Sequence, residues 1–202
     1  MRKLVYYIAS TLDGFVAGPD GADPTGPGGF WPIADDYMRY IIAEYPETLP
    51  GPAREALGVT DPGVRFDTVL EGRRSYEVGL KQGVADAYPH LRHIVFSRTM
   101  TESPDPAVRL VSGDPVATVR ELKQEDGKDV WVIGGGALAG ALYAEIDRLV
   151  VKIAPLTIGA GIPLFGRDAA FDPRTWELTG HTALDSGLVV LTYDRAPDEA
   201  SA

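Results

Sequence analysis

Three turns in the sequence combine glycine, arginine or a hydroxyl residue with the end of a predicted strand. They contain Gly72, Arg73, Arg74 and Ser75, then Ser97 and Arg98, and then Gly134, Gly135, Gly136, Ala137 and Leu138. Glycine lets the backbone approach a ligand, a helix start attracts phosphate, and the planar fork of arginine matches phosphate oxygens. Ligands of open α/β sheets bind beyond the carboxyl ends of strands, so the three turns together favour a nucleotide diphosphate.

Each turn also has a structural interpretation when it is taken alone. The glycines at 134–136 fit the pattern G-x-G-x-x-A, but the acidic residue expected about twenty positions later is missing, because residues 156–161 read Leu-Thr-Ile-Gly-Ala-Gly. This weakens a standard Rossmann interpretation and leaves a simple strand-to-helix turn as the alternative. Arg73 and Arg74 are equally compatible with a solvated basic pair.

Length and composition restrict the class of protein. The 202 residues, 45% hydrophobic and 24% charged, predict one globular domain over 1–195 and a disordered tail over 196–202. A net charge of −10 argues against a nucleic-acid partner, and the absence of cysteine disfavours zinc sites and thiol chemistry, so we expect no metal. The short apolar start and the lack of any long apolar run predict neither a signal peptide nor a membrane span, which is compatible with a cytoplasmic location.

Hydrophobic periodicity predicts an α/β fold whose central sheet is mixed but mostly parallel and is flanked by helices. We expect strands over 4–9, 66–70, 93–97, 130–133, 149–154, 176–184 and 188–194, and helices over 35–45, after 72, from 115 and over 137–145. Residues 14–29 hold many glycines and prolines and predict a long loop over the end of the first strand. The turn Asp185-Ser186-Gly187 predicts an antiparallel C-terminal hairpin.

The order of these motifs resembles the dihydrofolate reductase superfamily. The shared segments are Ile8-Ala9 with Leu12-Asp13-Gly14, the turn 72–76, Phe96-Ser97-Arg98, and 132–136. Residues 10–14 and 154–161 are most similar to the reductase domain of bacterial riboflavin biosynthesis, the C-terminal part of the bifunctional deaminase-reductase. The resemblance implies a three-layer dihydrofolate-reductase-like fold and an NADPH-dependent reductase that acts on a pterin-like or ribosylaminopyrimidine-like heterocycle. It also implies a homodimer.

The resemblance also implies roles for individual residues. Arg73 and Arg98 match positions that hold the 2′-phosphate and the adenine edge, and Arg74 and Ser75 match the start of a helix that faces the pyrophosphate. The turn from Gly134 to Leu138 matches the other side of the pyrophosphate, with Gly135-Gly136 as the candidate for a cis peptide. The positions that match contacts to the nicotinamide end are Ala9, Val16 and Ala17. Gly72 and Ser97 complete the implied cofactor site.

The proton donor is the carboxylate implied by the same family. In dihydrofolate reductases it lies early in the first helix, five residues after a loop tryptophan, and Trp31 and Asp36 reproduce that interval, with Asp35 adjacent. Hydride delivery to a C=N bond builds negative charge on nitrogen, which protonation relieves. The structural alternative is that Asp35 and Asp36 only favour the helix N-terminus. Asp13 is a second candidate, although an Asp-Gly pair also suits a turn.

Departures from the family leave the substrate open. Ala139 replaces the usual aromatic residue after the glycine turn, and Lys152 stands at the threonine position near the pterin. No arginine matches the position that binds the glutamate tail of folate, so a smaller heterocycle fits better. We interpret the three histidines as structural.

There are two alternatives to an NADPH-dependent reductase. One is a non-catalytic NADPH-binding or redox-sensing protein, and the other is a protein that binds a flavin or deazaflavin in place of NADPH.

Overall fold

The computed structural model describes residues 1–26 and 28–196 and contains ten strands and five α-helices within them. The strands are β1 (Leu4–Thr11), β2 (Phe15–Ala17), β3 (Phe66–Gly72), β4 (Arg92–Phe96), β5 (Arg109–Val111), β6 (Asp129–Gly134), β7 (Arg148–Ala154), β8 (Ile162–Pro163), β9 (Trp176–Ala183) and β10 (Val189–Arg195). The helices are α1 (Asp35–Glu44), α2 (Gly51–Leu57), α3 (Arg73–Lys81), α4 (Pro115–Gln124) and α5 (Gly136–Ala141). Most of the predicted tail, 197–202, lies outside the described residues.

Eight strands form one sheet in the order β5-β4-β3-β6-β1-β7-β10-β9. The six strands from β5 to β7 in this order are parallel, whereas β10 runs antiparallel to β7 and pairs with β9 as a hairpin. The predicted mostly parallel sheet with an antiparallel C-terminal hairpin is therefore confirmed. Because β1, β3, β4 and β6 are parallel and adjacent, the turns that follow them lie at one edge of the sheet.

Two apolar cores lie on opposite faces of the sheet and give the predicted three layers. One core packs Leu4, Tyr6, Leu70 and Val132 against α4 and α5. The other packs Val5, Tyr7, Trp131 and Val150 against Tyr37 and Ile41 of α1. Residues that alternate along one strand thus face different layers, as both-side burial requires. In residues 1–26 and 28–196, no helix combines the length and apolar character needed to cross a bilayer.

Local signals explain where several elements begin and end. The Asp114 carboxylate accepts the amide proton of Val116, and Pro115 occupies the first turn of α4, so the predicted start of this helix is confirmed. The predicted helix over 137–145 is instead α5 followed by a 3₁₀ turn at Tyr143–Glu145. Two short strands were not predicted from the long 14–29 loop and the 156–166 segment: β2 and β8 pair with each other and tie the two together.

Candidate functional site

The turns that follow β3 and β6 meet directly. A methyl group at Gly72 would lie 3.8 Å from the amide nitrogen of Gly135 and 3.7 Å from Cβ of Leu138. Leu138 itself belongs to the core beneath α5. The close approach of these two turns follows from the pairing of Leu70 in β3 with Val132 in β6.

The turn that follows β4 joins them through a side-chain hydrogen bond. Nη1 of Arg73 donates to Oγ1 of Thr99 over 3.0 Å, which links the start of α3 to the segment after β4. Ser97 is buried and shapes this segment, because its Oγ accepts the amide proton of Met100 at 2.8 Å. The structure therefore brings together the three turns that the sequence predicted to converge.

Positive charge concentrates at this edge in a chain whose net charge is −10. Arg74 and Arg98 are exposed, and neither forms a hydrogen bond or ion pair with another described residue. Arg73 lies 3.6 Å from the Glu77 carboxylate, measured from Nε to Oε1, which leaves its guanidinium partly neutralised. Ser75 is partly buried, and its hydroxyl makes no hydrogen bond within the described part of the chain. Unpaired guanidinium groups of this kind suit an anionic ligand.

The glycine turn after β6 has one packed side and one open side. Gly134 has a φ of +142°, a region that favours glycine, and no heavy atom lies within 4 Å of a methyl group built on Gly134 or Gly135. At Gly136 the same methyl group would lie 2.6 Å from the carbonyl oxygen of Pro163. Ala137 is exposed, while the amide of Leu138 already donates to the carbonyl of Gly135 at 2.9 Å.

The cis peptide bond lies one residue earlier than predicted. It joins Gly134 to Gly135, not Gly135 to Gly136. Gly135 is the residue before α5, and its backbone is extended, so the bond from Gly135 to Gly136 is the entry into the helix. The unusual backbone therefore belongs to the end of the strand and not to the start of the helix.

The residues predicted at the nicotinamide end come from β1 and from the loop that follows it. Ala9 is partly buried in β1, where it pairs with Lys152 of β7. Val16 and Ala17 are partly buried in β2, which is anchored to β8. The carbonyl of Gly14 also accepts the amide proton of Leu164 at 3.1 Å. These contacts fix the loop over the end of β1.

The carboxylate of Asp36 is occupied by backbone amides. Its Oδ2 accepts the amide proton of Ser186, in the β9–β10 turn, at 2.7 Å, and its Oδ1 accepts that of Tyr37. The hydrogen bond from Ser186 is the main cause that lowers the pKa of Asp36 below its ordinary value. Asp36 is thus held as a carboxylate that ties α1 to the hairpin, while Asp35 is exposed. The role of either residue as proton donor stays a prediction.

Asp13, the second acid candidate, fastens two loops together. The hydroxyl of Thr11 donates to Oδ1 of Asp13 at 2.6 Å, and the amide of Gly159 donates to Oδ2 at 2.7 Å. The hydrogen bond from Thr11 is the largest cause that lowers the pKa of Asp13.

The loop residue Trp31 is buried, and its Nε1 finds no hydrogen-bond partner among the described residues.

Sequence reasoning considered Lys152 and His93 but did not predict how these two basic side chains are buried. Lys152 lies on the α1 side of β7 with 7% of its surface exposed, and its Nζ lies 3.6 Å from the ring centroid of Tyr7. His93 in β4 is bound by two carboxylates, Glu71 and Asp86, at 2.6 Å and 2.8 Å. The structural interpretation of His93 fits this pairing, but sequence spacing gave no sign of its partners. For Lys152, the available signal in the sequence was a lysine inside the apolar run 149–154.

A separate cavity of about 680 Å³ lies at the opposite end of the sheet. It is lined by residues from the amino ends of β1, β3, β6 and β7, among them Val5, Phe66, Asp129 and Arg148. The converging turns lie at the carboxyl ends of the same parallel strands. The cavity of about 680 Å³ and the turns that could bind phosphate therefore lie at different ends of the sheet. The unpaired arginines and the open glycine turn favour the carboxyl ends as the ligand site.

Comparison with known proteins gives the family. The description "RibD C-terminal domain" fits residues 2–190, nearly the whole chain. The chain belongs to the RibD C-terminal domain family. It is 29% identical over 166 residues to YwjB of Bacillus subtilis (strain 168), an uncharacterized protein, and the match covers 81% of this chain and 83% of YwjB.

Solved structures similar to this RibD C-terminal domain protein support the fold. A Shewanella sp. PV-4 protein whose name provisionally assigns it to riboflavin biosynthesis has a TM-score of 0.66 at 22% identity, with 98% of this chain and all of that chain covered. A Thermotoga maritima diaminohydroxyphosphoribosylaminopyrimidine deaminase/5-amino-6-(5-phosphoribosylamino)uracil reductase has a TM-score of 0.61 at 16% identity, covering 96% of this chain and 57% of its own. These structures confirm the predicted dihydrofolate-reductase-like fold, and the family match confirms the predicted resemblance to the reductase domain of riboflavin biosynthesis.

Proposed function

We propose that this protein is an NADPH-dependent reductase that transfers hydride to a pterin-like or ribosylaminopyrimidine-like heterocycle. The observation that carries the proposal is the convergence of the turns after β3, β4 and β6 at one edge of the sheet. Membership of the RibD C-terminal domain family and the reductase named among the similar structures support the reaction class.

The residues at this edge fit a phosphorylated dinucleotide. Arg74 and Arg98 are exposed cations without a partner in the described part of the chain, and Arg73 adds a third. The open side of Gly134 and Gly135 leaves space that any larger side chain would fill. Bidentate arginine contacts and close backbone approach are the features that phosphate groups require. A flavin or deazaflavin carries no adenosine 2′-phosphate for Arg73 and Arg98 to bind.

The chain's own residues bind and orient more than they react. Arg73, Arg74 and Arg98 would hold the phosphates, and Ala9 with the β2 segment would border the ring that reacts. NADPH supplies the hydride when it is bound. The loop containing β2 lies over the end of β1, because β2 pairs with β8 and Asp13 accepts the amide protons of Ile158 and Gly159, and it would orient the cofactor ring there.

Cofactor preference is the first test. We expect NADPH to bind at least tenfold more tightly than NADH, and Arg98→Ala to lower NADPH affinity 10- to 100-fold while changing NADH affinity little, because a charge-assisted hydrogen bond contributes about 1.5–3 kcal/mol. Titration of cofactor fluorescence measures both. Arg109→Ala is the matched control, since Arg109 is an exposed arginine at the amino end of β5. Equal loss in both variants would contradict the assignment of this edge.

Turnover is the second test. NADPH oxidation would be followed with 5-amino-6-(5-phosphoribosylamino)uracil and, separately, with dihydrofolate. We expect reduction of the ribosylaminopyrimidine to exceed that of dihydrofolate, because no arginine matches the folate tail position. Tight NADPH binding without turnover of any heterocycle would favour the sensor alternative.

A further inference from the structure

Lys152 is a buried cation in the wall between the sheet and α1. It pairs with Ala9 of β1 on one side and Val190 of β10 on the other, in the middle of the sheet. Its Nζ lies 3.6 Å from the ring centroid of Tyr7 and 6.0 Å from that of Tyr37. Two aromatic rings lie near this ammonium group, and cation–π attraction replaces a small part of the lost hydration.

No carboxylate of the described residues pairs with the Lys152 ammonium group. Within residues 1–26 and 28–196, Lys152 forms no ion pair and no hydrogen bond. Burial alone lowers its pKa from 10.5 to about 7. A buried, unpaired ammonium is costly to the fold, and groups of this kind concentrate at sites where a ligand or a reaction uses them.

The groups that face Lys152 stay neutral over the physiological range. Burial raises the pKa of Tyr7 and of Tyr37 above the ordinary value of 10, so neither becomes a phenolate near pH 7. The carboxylate of Asp36, on the same helix as Tyr37, is committed to the amide of Ser186. Among these groups, Lys152 is therefore the one that can hold and release a proton near neutral pH.

The position coincides with the ring end of the proposed site. Ala9, the predicted nicotinamide contact, is the direct strand neighbour of Lys152. A small cavity of about 40 Å³ opens beside Tyr37 and is lined also by Pro155, Ser186 and Leu188, at the end of β7 and the tip of the hairpin. Lys152 thus lies beside Ala9 in the sheet, on the face that α1 covers.

We propose that Lys152, and not Asp36, donates the proton that completes reduction of the heterocycle, a proposal that rests on the proposed function. Hydride from NADPH forms the new C–H bond, the π electron pair of C=N moves to nitrogen, and nitrogen takes a proton from Nζ. NADPH becomes NADP⁺, Lys152 becomes a neutral amine, and solvent returns its proton. A donor whose pKa lies near the working pH is the effective one for this step.

The test is single-turnover hydride transfer in three variants, measured with NADPH already bound. Lys152→Met keeps the length and apolar stem of the side chain, and we expect it to slow hydride transfer 10²- to 10⁴-fold while NADPH affinity changes less than twofold. Lys152→Arg retains the charge but cannot release a proton, so we expect a comparable loss. Asp36→Asn removes the other candidate, and we expect less than a tenfold change.

The pH profile separates a donor from a structural residue. In wild-type protein the hydride-transfer rate should fall as the pH rises above about 7, following the pKa of Lys152, whereas the residual rate of Lys152→Met should not follow it. Normal transfer in Lys152→Met, or full rescue by Lys152→Arg, would overturn the role of Lys152 and leave the reductase assignment intact. If the wild-type protein transferred hydride from NADPH to none of the heterocycles, both the role of Lys152 and the reductase assignment would be overturned.

Discussion

His93 and Lys152 are both buried basic side chains of the same sheet, but their surroundings are opposite. Each ring nitrogen of His93 meets a carboxylate, Glu71 on one side and Asp86 on the other. Lys152 meets two aromatic rings and no carboxylate in the described part of the chain. A buried basic group with complete partners belongs to the framework, whereas one without partners is available to a ligand.

The two environments act on the pKa values in opposite directions. Burial lowers the pKa of both groups, and for Lys152 nothing offsets it. For His93 the hydrogen bond and charge of Glu71, followed by those of Asp86, outweigh burial and raise the pKa. Glu71 directly precedes Gly72, so His93 also holds the end of β3 that carries the first of the three turns.

The largest expected effect comes from removing His93. His93→Leu leaves Glu71 and Asp86 buried without their partner, and we expect the free energy of unfolding to fall by about 3–5 kcal/mol. Lys152→Met removes a buried charge that has no partner, so it should leave the protein equally stable or more stable. Urea unfolding at pH 6.5 measures both. If the two variants lost stability equally, the contrast between the two sites would fail.

A smaller effect distinguishes packed from open positions in the glycine turn. Gly136→Ala places a methyl group against the backbone of Pro163 and Gly166, and we expect it to cost about 1–3 kcal/mol of unfolding free energy. Gly135→Ala meets no atom within 4 Å, so its stability should stay within about 0.5 kcal/mol of wild type.

Cofactor binding should reverse that order. The methyl group of Gly135→Ala enters the space proposed for the pyrophosphate, and we expect NADPH affinity to fall at least tenfold in a fully folded protein. Thermal unfolding and fluorescence titration on the same samples separate the two effects. Undiminished NADPH affinity in Gly135→Ala would mean that the open side of the turn is not where the phosphates bind.

The sequence predicted the framework of this edge better than its buried polar groups. Apolar runs that end in glycine marked β3 and β6, and their convergence followed from parallel pairing alone. β5 escaped notice because three residues beginning with an exposed arginine carry no periodic signal. The cis bond was misplaced by one residue because strand and helix share the glycines between them.

The partners of buried charges depend on the tertiary structure. Glu71 lies 22 positions before His93, and Asp86 lies seven before it in an irregular segment, so no motif spacing links the three. Lys152 is a charge within an apolar strand, but the sequence cannot tell whether a carboxylate from α1 would reach it. That question is decided by Asp36, which instead turns to the amide of Ser186.

The smallest and most specific prediction is the pH dependence of stability. The folded pKa of Lys152 lies below its ordinary value of 10.5, so the unfolded chain binds more protons between pH 7 and 10.5 and stability rises with pH there. Relative to Lys152→Met, wild-type protein should therefore gain about 1.4 kcal/mol between pH 6 and pH 8. The raised pKa of His93 has the opposite sign: its contribution is complete below pH 6.5 and is lost as the pH rises through the folded value. Urea unfolding of wild type, Lys152→Met and His93→Leu across this range measures the free energy of unfolding of each. The difference between wild type and Lys152→Met should change with pH in the opposite direction to the difference between wild type and His93→Leu. Parallel changes would show that the two basic groups are buried in the same way.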